Sequence, residues 1–402
     1  MLISGGSFRL IRNDATLAST NEINFVARDI NLVRNSKDEP VGYTYGDVNI
    51  ALSNIKLRSE TGMYDMSLGK FSVNKQDSSV HLENFVMKPK YDKKEFTKKL
   101  EYQTERFDIS IHNIDIERIG YRRVLDAKPL EIARIFIDGI YADIYKDKNI
   151  PFDPNKFPLF FNESLLKLPL PIDLDTVAVT NSTLLYNELA NGRTEPGLIR
   201  LDNFALQIYD LTTHPEDDTL ENKMQADVQA NIMGEGPMNV SVIFPLEGSL
   251  RRVECSGSVG AMHLAPLNAM LEPSMNIKFN GGTVTRMTFS FSGDENTSNG
   301  WMEFLYKDLD VVILKKEEKS ESGLLSFLAN TVANSNNPAP GKAQIKSVEI
   351  GTDRDKNRGP VNFIWKTIQS GMVRTILPIN KYAIKQKPEP QKKSKSSSQK
   401  KK

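Results

Sequence analysis

The residues that could carry chemistry are few and poorly placed for it. The four histidines, His81, His112, His214 and His263, include no pair at i,i+3 or i,i+4 spacing, so a zinc-binding helix motif is absent. His112 falls at a loop-like position of a repeat described below, where a turn residue is expected. Ser-x-x-Lys occurs at Ser53/Lys56, Ser67/Lys70 and Ser164/Lys167. That spacing activates a serine when one helical turn brings the amine to the hydroxyl, and no Lys-Thr-Gly or Ser-Asp-Asn follows at a sensible distance. The first two copies lie in strand-like alternation, where residues three apart face opposite sides. Gly5-Gly6, Gly281-Gly282 and the turn Gly234-Glu235-Gly236-Pro237 lack the strand–loop–helix setting of a phosphate cradle. Glu216-Asp217-Asp218 lacks the alternating ligand spacing of a calcium loop. Cys255, the sole cysteine, excludes an internal disulfide and a thiolate metal cluster, and its strand-like setting reads as a small core residue. The expectation is a protein without catalytic residues, metal or cofactor.

The elements that would position such residues are strands. Period-2 alternation dominates from Phe8 to about Leu314. Within it a four-residue pattern recurs, an apolar residue, any residue, an Asn/Asp/Gly-like residue and a second apolar one. It appears at Ala27–Ile30, Leu52–Ile55, Leu82–Phe85, Ile111–Ile114, Ile137–Ile140 and Leu201–Phe204, with a looser copy at Val179–Ser182. Two positions outward on each side the residues are again apolar, as in Ile50 with Leu57 and Ile109 with Ile116. A two-residue hairpin explains this, because residues bracketing its loop share a face and Asn, Asp and Gly tolerate the positive φ it needs. A β-bulge, which also brings consecutive apolar side chains to one face, fits nearly as well. The hairpin is the preferred reading. In both cases each unit has one apolar and one wet face.

Helical signals are confined to Tyr91–Glu105, Asn162–Leu168, Ser322–Asn334 and Pro360–Leu377. The last carries Ile364, Ile368, Met372 and Ile376 on one stripe, with Val361 and Trp365 beside them. It reads as a cap over the end of the β-core or, with Trp365, Lys366, Arg374 and Lys381, as an interfacial membrane helix. The fold expected is mainly β: an elongated antiparallel β-groove of irregular hairpin repeats over 1–316, a cap over 317–380 and a disordered basic tail over 381–402.

Charge is uneven along the chain. The net charge is +1, but residues 381–402 carry nine lysines and one glutamate, which leaves the remaining 380 residues at −7. An acidic body with a basic tail argues against a nucleic-acid-binding domain. The tail cannot fold, and near anionic headgroups each lysine would contribute about 1 kcal/mol of attraction. A hydrophobic fraction of 39% supports a core but not a chain of fully buried elements, and no run of 18 apolar residues is present to span a bilayer. No signal-peptide pattern is visible at Met1–Ser19.

Several blocks resemble AsmA-like envelope proteins of the type found in Bacteroidota. They are Phe291–Asn296 with Gly300–Lys315 (GWMEFLYKDLDVVILK), Leu324–Asn330 (LLSFLAN) and Phe363–Gly371 (FIWKTIQSG). Pro89–Phe96 (PKYDKKEF), Gln103–Phe107 and Asp147–Phe152 add to them, so the resemblance runs from about Val86 to Gly371. It implies an open β-groove with an apolar interior, standing in the periplasm and serving phospholipid transport and outer-membrane biogenesis. Family members begin with an inner-membrane anchor helix that this chain lacks, which implies a fragment of a longer protein.

The function expected is therefore non-enzymatic binding or transfer of phospholipid acyl chains between inner and outer membranes, or toward an envelope assembly protein. The candidate lining is Ile50, Leu52, Ile55, Leu57, Ile109, Ile111, Ile114 and Ile116. The alternative is an assembly scaffold in which the same apolar faces close on a second sheet and leave no channel.

Overall fold

A computed structural model describes residues 1–12, 15–33, 42–44, 46–59, 61–120, 129–213, 223–246, 252–314, 334–342 and 347–376. The expected helix at Ser322–Asn334, the tail and Lys381 therefore lie almost wholly outside the described residues. Alternating sequence produces strands throughout. In order they are β1 (Leu2–Arg12), β2 (Ala15–Ala27), β3 (Asn31–Val33), β4 (Gly42–Thr44), β5 (Val48–Arg58), β6 (Tyr64–Asn74), β7 (Ser79–Pro89), β8 (Glu105–Ile119) and β9 (Leu130–Asp147). They continue as β10 (Ile172–Leu189), β11 (Gly197–Thr212), β12 (Lys223–Ile232), β13 (Gly236–Pro245), β14 (Val253–Val259), β15 (Met262–His263), β16 (Ile277–Gly293), β17 (Ser298–Ile313) and β18 (Ser347–Ile350). All but β3 and β4 belong to one sixteen-stranded open sheet, laid out almost in chain order. β3 and β4 pair only with each other.

Every neighbouring pair is antiparallel except β9–β10, which is parallel. Parallel neighbours need a long crossover, and residues 148–171 supply it, with the short helix α2 (Phe161–Leu165) inside. The other helices are α1 (Lys93–Thr97), α3 (Asn268–Met275) and α4 (Pro360–Ile376). α3 is absent from the sequence reading, which takes this stretch as strand. α4 forms where the apolar stripe was expected and packs on β17 and β18.

The recurring motif is not the hairpin turn. The strands run straight through it, with Asn54, Asn84, Asn181 and Asn203 left-handed (φ 50–56°) and Gly139 likewise (φ 70°), all mid-strand. At each of these levels the ladder pairing lapses: Ser53 pairs with Lys70 and Ile55 with Leu68, while Asn54 and Gly69 have no paired register. Between β10 and β11 the register shifts openly, at Val179/Ser182 and again at Ser182/Leu184. The motif is thus a bulge-like break that keeps the strand continuous and puts consecutive outer residues on one face. Over β5–β9 the register is the same on both sides of it, so no residue is inserted, and the extra residue of a full bulge occurs between β10 and β11. Only Ala27–Ile30 lies at a strand end, with Asp29 left-handed (φ 52°) in the bend after β2. The bulge also overturns one detail: Ser53/Lys56 and Ser67/Lys70 flank it, so the members of each pair return to one outer face, and Lys70 there binds Glu83 at 2.9 Å.

Contacts between strands far apart in this order show that the sheet curls. Laid flat, β11 and β16 would lie roughly 19 Å apart at the usual strand spacing. Yet Arg193, in the turn before β11, donates to Asn276 Oδ1 at 3.0 Å just before β16, and α3 packs on both β11 and β16. The crossover reaches the C-terminal segment too: Arg354 donates to the Pro158 carbonyl at 2.8 Å and stacks on Phe160, whose ring meets Phe363 of α4 edge-on. The buried core lies here, around Phe160, Phe244, Phe291, Met302, Tyr306 and Phe363.

Candidate functional site

Cross-strand partners share a face, so the register can be followed from strand to strand. Four apolar rows result. One runs Phe25–Ile50–Val73–Val80–Ile116–Ile135–Val177–Ile208. The next runs Ile23–Leu52–Phe71–Leu82–Ile114–Ile137–Val179–Leu206. Across the bulge line, Ile55, Leu68, Phe85, Ile111 and Ile140 form a third. Leu57, Met66, Met87, Ile109, Ala142, Leu184 and Leu201 form the fourth.

The eight residues expected to line the groove are brought together in pairs, one pair per row: Ile50 with Ile116, Leu52 with Ile114, Ile55 with Ile111 and Leu57 with Ile109. Sequence reasoning missed the copy between them on β6, where Met66, Leu68, Phe71 and Val73 keep the 2-3-2 spacing but Gly69-Lys70 replaces the usual polar–Asn pair. It missed a second on β2, at Ala18, Thr20, Ile23 and Phe25. The spacing itself, without regard to residue type between, would have found both. All eight expected residues are half-buried, none of them to the depth of the C-terminal core. The first two rows continue under cover, through Val242, Cys255 and Ile350 and through Phe289, Met302 and Val348, all buried. The apolar face is one path, open over the early strands and closed over the late ones.

The opposite face is polar. Asn54, Asn84, His112, Asn181 and Asn203 are exposed in a line across it. Beside them His81 lies between Asp115 and Glu83, 2.9 Å from the latter, and Glu83 also holds Lys70. Burial lowers the His81 pKa, but the two carboxylates outweigh it and hold the imidazole above its ordinary value. His263 pairs with Glu235 at 3.1 Å far from this group. Among the described residues no three His, Cys, Asp or Glu side chains are grouped to hold a metal. A shallow depression on the outer side of β13–β17 is lined by Ser241, Ser256, Ser290 and Trp301. Cys255 at its base is a buried thiol pushed up to about 12 by desolvation, the reverse of an activated nucleophile.

On α4, Trp365 and Val361 are 46% and 66% exposed, one turn apart, with Lys366 exposed beside them. Arg374 instead turns to the sheet and donates to the Glu349 carbonyl at 2.7 Å. The three residues are thus separated: Trp365 and Lys366 are exposed on the side of α4 turned away from β17 and β18, and Arg374 lies against β18. No described helix is long and apolar enough to cross a membrane. Compared with known proteins, the chain matches no family model and no curated protein.

Proposed function

We propose that this chain binds lipid acyl chains along the apolar face of its sheet and passes phospholipid between the membranes of a cell envelope, without catalysing a reaction. The observation that supports it is the set of four apolar rows, continuous across the early strands and left half-covered. An apolar surface of that extent is a binding surface in most proteins that keep one. Acyl chains fit it because the rows carry no charge, and the hydroxyls that fall on the face, those of Thr20 and Ser182, are engaged with backbone groups. The AsmA-like resemblance supports the same reading and carries with it a periplasmic setting, attachment to the inner membrane and a role in outer-membrane biogenesis. The exposed Trp365 and Lys366 then serve as a contact with a membrane surface or an envelope assembly protein.

A closed scaffold would need a second sheet over these rows. Among the described residues the second sheet is only β3–β4, three residues each, so the open groove is the better supported of the two.

Native mass spectrometry of protein purified from cells, followed by lipid extraction, tests the proposal. Phospholipid at defined stoichiometry is expected. Leu52→Asp with Ile114→Asp, in one row, should abolish it, while Lys56→Asp on the outer face should not. A lipid-free wild type, or lipid retained by the double variant, would overturn the reading.

A further inference from the structure

The apolar face does not end in solvent on all sides. Beyond Ile109, Ala142, Leu184 and Leu201 it continues through a mixed row, Phe107–Ile144–Tyr186–Ile199. The row after that, on the same face, is charged: Glu105–Lys146–Glu188, closing on Gly197. Lys146 binds Glu105 at 2.7 Å, and Lys148, just past β9, binds Glu188 at 2.6 Å. Tyr186 donates its hydroxyl to the other Glu188 oxygen at 2.9 Å.

The curl of the sheet brings further cations to this rim from the C-terminal segment. Arg358 stacks on the Phe152 ring at 3.4 Å, and its nearest carboxylate is Asp355 at 3.7 Å. Lys366, on α4, has the neutral Gln369 as its hydrogen-bond partner at 3.0 Å. Burial lowers the Lys366 pKa, and the positive charges of Lys148 and Arg358 nearby lower it further, against the pull of Glu188. Lys156 lies close enough to Glu105 to help hold that carboxyl ionised. The two carboxylates on the face are thus already engaged by Lys146 and Lys148, and Arg358 and Lys366 add two further cations beside them.

We propose that this rim holds the phosphate-bearing headgroup of an amphiphile whose acyl chains lie on the apolar rows. The inference rests on the acyl-chain reading above and adds a fixed polarity to it: chains toward the bulge line, headgroup at the ends of β9 and β10. An anion placed between Lys148, Arg358 and Lys366 relieves their mutual repulsion and accepts charge-assisted hydrogen bonds. A neutral diacylglycerol with the same chains gains neither.

The test is uptake from vesicles by the whole chain, with fluorescent phosphatidylglycerol and fluorescent diacylglycerol of identical chains. The wild type should take the phosphate ester in about tenfold preference. Lys148→Gln with Lys366→Gln should bring the ratio of phosphatidylglycerol to diacylglycerol uptake down to about one, and Lys366→Arg should keep the wild-type ratio. Lys366→Gln alone, at an exposed position, should weaken the preference even if the double variant does not fold. Inorganic phosphate in excess should not erase the preference; if it does, the rim is a site for free phosphate and the headgroup assignment falls. Equal uptake of both lipids by the wild type overturns the rim site and leaves the acyl groove standing. Uptake of neither overturns both.

Discussion

Asn84 shows what a single residue does in this sheet. It is left-handed (φ 56°) in the middle of β7, and Gly69 on the neighbouring strand sits close against it, since a Cβ there would stand 3.1 Å from the Asn84 Cβ and from the Glu83 carbonyl. Asparagine tolerates this backbone and a β-branched residue does not. Asn84→Val should cost about 1–2 kcal/mol, while Asn84→Gly should be close to neutral, both read from urea unfolding. On the same outer face, His81 makes stability depend on pH. Its folded-state pKa lies above its ordinary 6.5. The stabilisation by Asp115 and Glu83 is therefore complete below 6.5 and lost as pH rises through the elevated folded value. Thermal unfolding of wild type against His81→Gln should show the difference between them shrinking over that interval; because the group is partly exposed, the change is small.

At the scale of elements, α4 illustrates both the reach and the limit of periodicity. The stripe Ile364, Ile368, Met372 and Ile376 marks a helix with an apolar side, and the helix forms over Pro360–Ile376. The line that goes deepest is one residue earlier: Phe363, Thr367, Gly371 and Thr375 are buried, and the Ile/Met stripe is half-buried. Small residues let the helix backbone approach the sheet. The threonine hydroxyls are satisfied within the helix, on the Phe363 and Gly371 carbonyls at 3.0 and 2.9 Å. At Gly371 a Cβ would stand 2.4 Å from Ile350 Cγ2 and 2.6 Å from Met302 Sδ. Gly371→Ala should therefore destabilise by about 1–3 kcal/mol through overpacking, visible as a lowered Tm, although alanine is the better helix former. The bulged strands carry the same lesson. Spacing located the motif, but a hairpin and a bulge present the same side chains to one face, and only the pairing of both neighbours distinguishes them.

At the scale of the whole molecule, burial is divided between two regions of one sheet. The early strands keep their apolar rows half-covered, whereas the late strands enclose Phe291, Met302 and Tyr306 beneath α4 and the crossover. Local opening costs least where few apolar contacts are lost. Amide hydrogen exchange should be faster in β5–β7 than in β14–β17, and added phospholipid should slow the former selectively. The edge at β1 adds to this asymmetry. Leu2, Phe8, Leu10 and Ile11 are exposed along it, whereas β18 at the other edge is four residues long and carries α4.

What the amino-acid sequence determined by itself is local. The alternation, the left-handed Asn and Gly positions, the 2-3-2 apolar spacing and the α4 stripe are properties of neighbouring residues, set by φ/ψ sterics and side-chain period. That was enough for a long sheet with one apolar face, and for eight apolar residues that fall pairwise into shared rows of it. The tertiary structure decided the rest. Whether the bulges align across strands depends on register, which is a relation between segments up to 43 residues apart, as for Asn181 and Asp138 at 2.6 Å. The parallel β9–β10 pair follows from a crossover whose anchor, Phe160, finds its partners Phe363 and Arg354 some two hundred residues later. The charged rim draws on the same curl, since Arg358 reaches the Phe152 ring only because the sheet turns back on itself. Curvature accumulates from small twists and bulges over many strands, and no short window of sequence contains it.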